Sequence, residues 1–173
     1  KDSFISPIFI VGLPRSGSTL LYQLIASSFQ VTFLSNFSTL FFSYPSLSAY
    51  FTQTQHLNFS LKKFKSEFGF TNGFFSPAEA GAVYRYWFDF NLPHRTQEFK
   101  TSVIRLTEIF NCPFVWKNLN LSFHISQISS IFPNALFIFM NRDLKYICQS
   151  IHLKNINGSG INIQGLTKNE ILK

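Results

Sequence analysis

Cysteine is nearly absent from this 173-residue sequence. Cys112 and Cys148 are the only two, too few for a disulfide framework, and neither sits in a Cys-x-x-Cys pair, so both read as buried thiols. Histidine is equally thin. His56, His94, His124 and His152 are dispersed, without the paired spacing of a helical zinc site, and no metal is expected. No apolar run reaches the ~18 residues of a membrane span, and the charged Lys1-Asp2 start leads into a strand-like segment instead of a signal peptide. Acidic residues are the scarcer charge, 8 against 15 Lys and Arg, which leaves a net charge of +7. The basic residues are scattered and form no tract, which argues against a nucleic-acid-binding arm and for small anions or acidic acceptors as partners.

Apolar surface is what the sequence has in quantity. Hydrophobic residues make up 46% of the chain and charged residues 13%, so it is too apolar to stay disordered and can bury one sizeable core. One domain over residues 1–173 is expected. The 23 Phe residues give the composition an unusual texture but point to no particular function.

Pro7-Ile8-Phe9-Ile10-Val11 is a short continuous apolar run, the pattern of a parallel strand covered on both faces, and it stops at Gly12. From Ser18 onward Leu20, Leu21, Leu24 and Ile25 recur at helical spacing, with hydroxyl residues at the start able to cap free N–H groups. Residues 31–75 are aromatic-rich, lack a clear period and read as short helices and loops. Ser76-Pro77-Ala78-Glu79 opens a predicted helix through Trp87, with Pro in its first turn and Glu where the helix dipole favours negative charge. A helix over residues 97–110, a strand over 113–117 and a helix over 123–131 follow. A second continuously apolar strand over 135–140 and a helix over 144–151 come next, and the polar tail from Asn155 reads as loop or mobile end. Strands alternating with helices imply an α/β fold, a parallel β-sheet flanked by helices, with ligands at the carboxyl ends of the strands.

Gly12-Leu13-Pro14-Arg15-Ser16-Gly17-Ser18-Thr19 lies between a buried strand and a helix, the setting a phosphate-cradling loop requires. Backbone N–H groups at a helix start can surround an anion, and glycines let the backbone approach it. Arg15 and the hydroxyls of Ser16, Ser18 and Thr19 add charge-assisted donors. The Gly-Lys-Ser/Thr ending of a Walker A loop is missing, which disfavours ATP or GTP hydrolysis.

Residues Pro14, Arg15, Ser16, Gly17, Ser18, Thr19 and Leu20 closely resemble the 5′-phosphosulfate loop of sulfotransferases, whose usual forms read Pro-Arg-Ser-Gly-Ser-Thr-Leu or Pro-Lys-Ser-Gly-Thr-Thr. Pro133-Asn134-Ala135-Leu136-Phe137-Ile138 followed by Asn141-Arg142-Asp143 and Ser150 resembles the 3′-phosphate region of the same family, with Ser eight residues after Arg. Leu144 replaces the usual Pro.

The resemblance implies a P-loop NTPase-like sulfotransferase fold that is incomplete at its C-terminal end. It also implies 3′-phosphoadenosine 5′-phosphosulfate (PAPS) as sulfate donor with PAP as product, no metal, and a small-molecule or glycan acceptor with a hydroxyl or amine. Arg15 takes the place of the loop cation over the leaving oxygen. Lys117 resembles a lysine many members carry after this strand, or is a surface lysine. Glu79 resembles a family Pro-Glu segment and is a candidate general base, or a dipole residue. Leu119 stands where members with a Lys-Thr-His form carry a histidine base, and His94 and His124 are lesser candidates.

Rival readings are a P-loop nucleotide-binding or small-molecule kinase-like protein, and a non-catalytic relative. Asn-x-Ser triplets at Asn36, Asn58, Asn120 and Asn157 hint weakly at glycosylation. A cytoplasmic location is expected, or the secretory lumen if an upstream anchor has been removed.

Overall fold

The computed structural model describes residues 5–56, 66–67, 70–89, 92 and 94–157. Its elements in order are β1 (Ile8–Gly12), α1 (Ser18–Ser28), β2 (Thr32–Phe33), α2 (Asn36–Leu40), α3 (Pro45–His56), β3 (Ser66–Glu67), β4 (Phe70–Thr71), α4 (Gly81–Trp87) and α5 (His94–Phe110). Then come β5 (Phe114–Lys117), a 3-10 turn (Leu119–His124), α6 (Ile125–Ile131), β6 (Leu136–Met140) and α7 (Leu144–Asn157). Four strands form one parallel sheet in the order β2-β5-β1-β6, flanked by helices, and β3 and β4 pair as a separate antiparallel ribbon.

β1 sits between β5 and β6, and its apolar run serves both faces. Phe9 and Val11 join Phe114 and Trp116 in a core under α3, α4, α5 and α6, while Ile10 joins Val115, Tyr22 and Phe33 under α1. Seven of the 23 phenylalanines pack in the first of these layers. Phe99 lies against Phe9, Trp87, Phe88, Trp116 and Phe132 at centroid distances of 5.2 to 6.2 Å. Each such ring, taken fully from water, contributes about 1.5–3 kcal/mol.

Several expectations change. The apolar run of β6 predicts a strand covered on both faces, yet β6 is an edge of the described sheet, with Leu136 57% and Phe139 65% exposed. Residues 76–80 are not helical. Pro77 bridges to Ser35, Ala78 N–H donates to Leu34 O, and Ala80 takes a left-handed φ of 48°, so α4 begins only at Gly81 and Glu79 precedes it. β2 pairs with β5 inside the stretch read as helices and loops; two residues are too few to show a period. α7 continues to Asn157, past the expected break at Asn155, whereas the rest of the tail and residues 57–65 lie outside the described residues. Cys112 is buried, but Cys148 is exposed on α7.

Candidate functional site

β1 ends at Gly12 with φ 138°, a conformation that favours glycine, and a Cβ there would come within 2.6 Å of the Met140 carbonyl oxygen. Glycine thus lets the chain leave the sheet tight against β6. Arg15 is left-handed at φ 62° and Gly17 at φ 93°, which folds residues 12–17 back over the start of α1. The expected hydroxyl cap on α1 is not formed. Gly17 occupies the cap position and makes no side-chain cap bond, because a left-handed glycine has neither the extended backbone nor the oxygen that a capping serine would supply. The first turn is left to its own backbone N–H groups, the arrangement that attracts an anion. Ser16 is buried and its Oγ has no hydrogen-bond partner.

The second sequence anchor closes onto the first. Arg15 Nε donates to Ser150 Oγ at 2.8 Å, and Arg142 Nη1 donates to the Arg15 carbonyl oxygen at 2.9 Å. Asp143, next to Arg142, turns to the helix that follows. Its Oδ1 accepts from the Lys145 N–H at 2.8 Å, capping the first turn of α7 without the family's usual proline. Ser150, two turns along that helix, accepts from Arg15 and so keeps its own O–H proton for another partner.

Lys117 ends β5 and is buried, 2% exposed. Its Nζ contacts Thr19 Oγ1 at 3.3 Å and forms an ion pair with Glu79 Oε1, so one amine spans from the loop to the carboxylate. Burial pushes Lys117 down from 10.5 to about 8, while the Glu79 carboxylate acts in the opposite direction and favours the ammonium. The surface-lysine reading is excluded.

Glu79 itself is held through its backbone. Trp116 Nε1 and Asn118 Nδ2 donate to its carbonyl at 3.0 and 2.9 Å, and Asn118 Oδ1 accepts from the Asn120 N–H at 2.9 Å. Sequence reasoning missed both Trp116 and Asn118. The contacts tie residues 37 and 39 positions apart in the chain, and no local pattern signals them.

An open cleft of about 610 Å³ runs between these groups. Pro14, Arg15, Gly17, Ser18, Thr19 and Leu20 of the loop line it, with Glu79, Lys117 and Arg142, and Leu119 sits at its wall. Ser16, which is buried, and Ser150, which accepts from Arg15, adjoin the lining residues without being among them. The histidines are elsewhere. His94 is exposed at the start of α5, and His124 is buried with Nε2 2.9 Å from Tyr84 Oη and Nδ1 2.9 Å from Gln127 Oε1. Desolvation raises the Tyr84 phenol, keeping it a neutral partner.

Asn36, noted in sequence only as a glycosylation triplet, also lines the cleft, with its Nδ2 engaged by two carbonyl groups. Asn120 is exposed, and the Asn58 and Asn157 side chains lie outside the described residues. Among the described residues no cluster of His, Cys, Asp and Glu could hold a metal ion, and no helix is long and apolar enough to cross a membrane.

The loop chemistry fits a phosphate-like anion: an uncapped helix start, a buried unpaired Ser16 hydroxyl and cations on the cleft side. In comparison with known protein families, residues 7–168 match the model described as Sulfotransferase family. No curated protein and no solved structure matches the chain.

Proposed function

The chain belongs to the sulfotransferase family, and on that premise we propose that it moves a sulfuryl group from PAPS to a hydroxyl or amine of an acceptor and releases PAP. The observation that carries this reading is the position of Lys117. A buried amine touching both the loop hydroxyl of Thr19 and the Glu79 carboxylate joins an anion site to a proton acceptor in one cleft.

When bound, the donor supplies an electrophilic sulfur: the acceptor oxygen or nitrogen bonds to it, the bond from sulfur to the 5′-phosphate oxygen breaks, and that electron pair stays on the phosphate. The chain's own groups do the rest. Backbone N–H groups from Ser16 to Thr19 and the side chains of Ser16, Ser18 and Thr19 hold the 5′-phosphate, with Pro14 and Leu20 framing the loop. Arg15 sets a guanidinium at the leaving oxygen, where a fixed charge stabilises developing negative charge. Arg142 and the Ser150 hydroxyl serve the 3′-phosphate, and their bonds to Arg15 link the two anchors. Glu79 takes the acceptor proton on its carboxylate. The neighbouring Lys117 ammonium keeps that carboxylate ionised and oriented, and reaches toward the transferred group.

Calorimetric titration with PAP and with Mg-ATP tests the donor assignment. Submicromolar to micromolar PAP binding with weaker ATP binding is expected, and tighter ATP binding would reject it. Glu79→Gln, assayed with PAPS and an accepted substrate, is expected to lower turnover by about 10²–10⁴-fold while PAP binding persists. Unchanged turnover removes Glu79 from the role.

A further inference from the structure

The residues that line the cleft fall into two chemically distinct groups. The first wall is the loop with the cations Arg15, Lys117 and Arg142; the second is made of Asn36, Thr39 and Thr71. Following the protons of this second wall shows what it has left to offer. Asn36 Nδ2 lies 2.8 Å from the carbonyl oxygens of both Thr71 and Gly73. Only an NH2 group can face two carbonyl oxygens, so both amide protons are committed and Oδ1 remains as a fixed acceptor. Thr71 Oγ1 gives its proton to Pro77 O at 2.6 Å, and Thr39 Oγ1 gives its own to Ser35 O at 3.5 Å. The backbone follows suit: the N–H groups of Asn36, Thr39 and Ala78 donate to Ser76, Ser35 and Leu34 carbonyls. These donors are all spent on backbone oxygens, and the wall meets a ligand with acceptor atoms, joined at its edge by the Glu79 carboxylate.

We propose that the acceptor is a neutral polyhydroxyl compound of the sugar type, in which one hydroxyl reacts and its neighbours donate to Asn36 Oδ1 and Thr71 Oγ1. This deepens the sulfuryl-transfer reading and rests on it. A carboxylated or already sulfated acceptor would set anionic oxygens against unpaired oxygens, a costly arrangement in a partly desolvated site. An ammonium would match the wall but would share the cleft with Arg15, Lys117 and Arg142, on a chain of net charge +7. A neutral hydroxyl array satisfies both walls. Asn36 and Thr71 are thus acceptor-positioning residues.

The test uses ligand-observed NMR on the protein saturated with PAP, after PAP binding has been measured by itself. Three pools are compared: lactose, maltose and cellobiose; the same skeletons carrying a C6 carboxylate; and the same skeletons with one amino group in place of a hydroxyl. The neutral pool is expected to bind at least about tenfold more tightly than either charged pool, the worth of one unpaired polar group. Thr39→Lys, which puts a donor on the acceptor wall, is expected to reverse the order of the neutral and carboxylated pools.

If PAP binds but the neutral pool does not, or a charged pool binds as well, the acceptor inference is overturned while the donor reading stands. If PAP itself fails to bind, the donor reading falls first and takes this one with it. The wild-type comparison decides the matter even if Thr39→Lys proves unstable by thermal melting.

Discussion

Replacing Lys117 by Met should remove a pH dependence of stability that the buried amine gives the wild type. The side chain is buried, 2% exposed, and burial holds it at about 8 against an ordinary 10.5. That fall corresponds to about 3 kcal/mol of folding free energy lost when the group is charged in both states, since each tenfold change in proton affinity is worth ~1.4 kcal/mol. The sign follows from which state holds the proton. Between pH 8 and 10.5 the unfolded chain keeps a proton that the folded chain has released, so stability rises with pH across that window. Below pH 8 the penalty is fully present.

Urea unfolding of wild type and Lys117→Met at pH 7, 8, 9 and 10 gives the comparison. Wild type is expected to gain roughly 2–3 kcal/mol on the variant between pH 7 and pH 10. PAP affinity should fall over the same range in wild type alone, as the ammonium beside Thr19 and Glu79 loses its charge. Parallel stability curves would show that the Glu79 carboxylate offsets the burial of Lys117 completely, and the reasoning from desolvation would be wrong.

Gly12→Ala puts a methyl group 2.6 Å from a backbone oxygen at a φ of 138°, so a loss of about 2–4 kcal/mol and a lower melting temperature are expected, with PAP binding lost as the loop shifts. Arg142→Leu removes both a cation and the bond to the Arg15 carbonyl, and calorimetry should show PAP affinity falling about 10- to 100-fold. Asn118→Leu leaves the Glu79 carbonyl with one donor fewer and the Asn120 N–H without its partner. A stability loss of about 1–3 kcal/mol in denaturant titration is expected, together with a turnover loss larger than any change in PAP affinity. Phe99→Ala, at the hub of the aromatic layer, should cost about 3–5 kcal/mol by the same measurement.

The amino-acid order by itself determined the parts whose physics is local. Apolar runs identified β1, β5 and β6, because strands of a helix-flanked parallel sheet favour continuous apolar runs, although β6 lies at the edge of the described sheet with Leu136 and Phe139 exposed. Gly12 and Gly17 with their hydroxyl neighbours identified the loop, because only certain residues tolerate its backbone and supply its donors. Tertiary structure alone decided how those parts act on one another.

No periodicity could place Ser150 on Arg15 across 135 residues, or Lys117 on Thr19 across 98. Glu79 read as a helix-start residue until left-handed Ala80 and the bonds from Trp116 and Asn118 set it ahead of α4, facing Lys117. Asn36 read as a glycosylation triplet until two carbonyls, 35 and 37 residues away, claimed its amide. A hydrogen bond depends on distance in space and on which protons are already committed, and neither quantity is written in the spacing of residues along a chain.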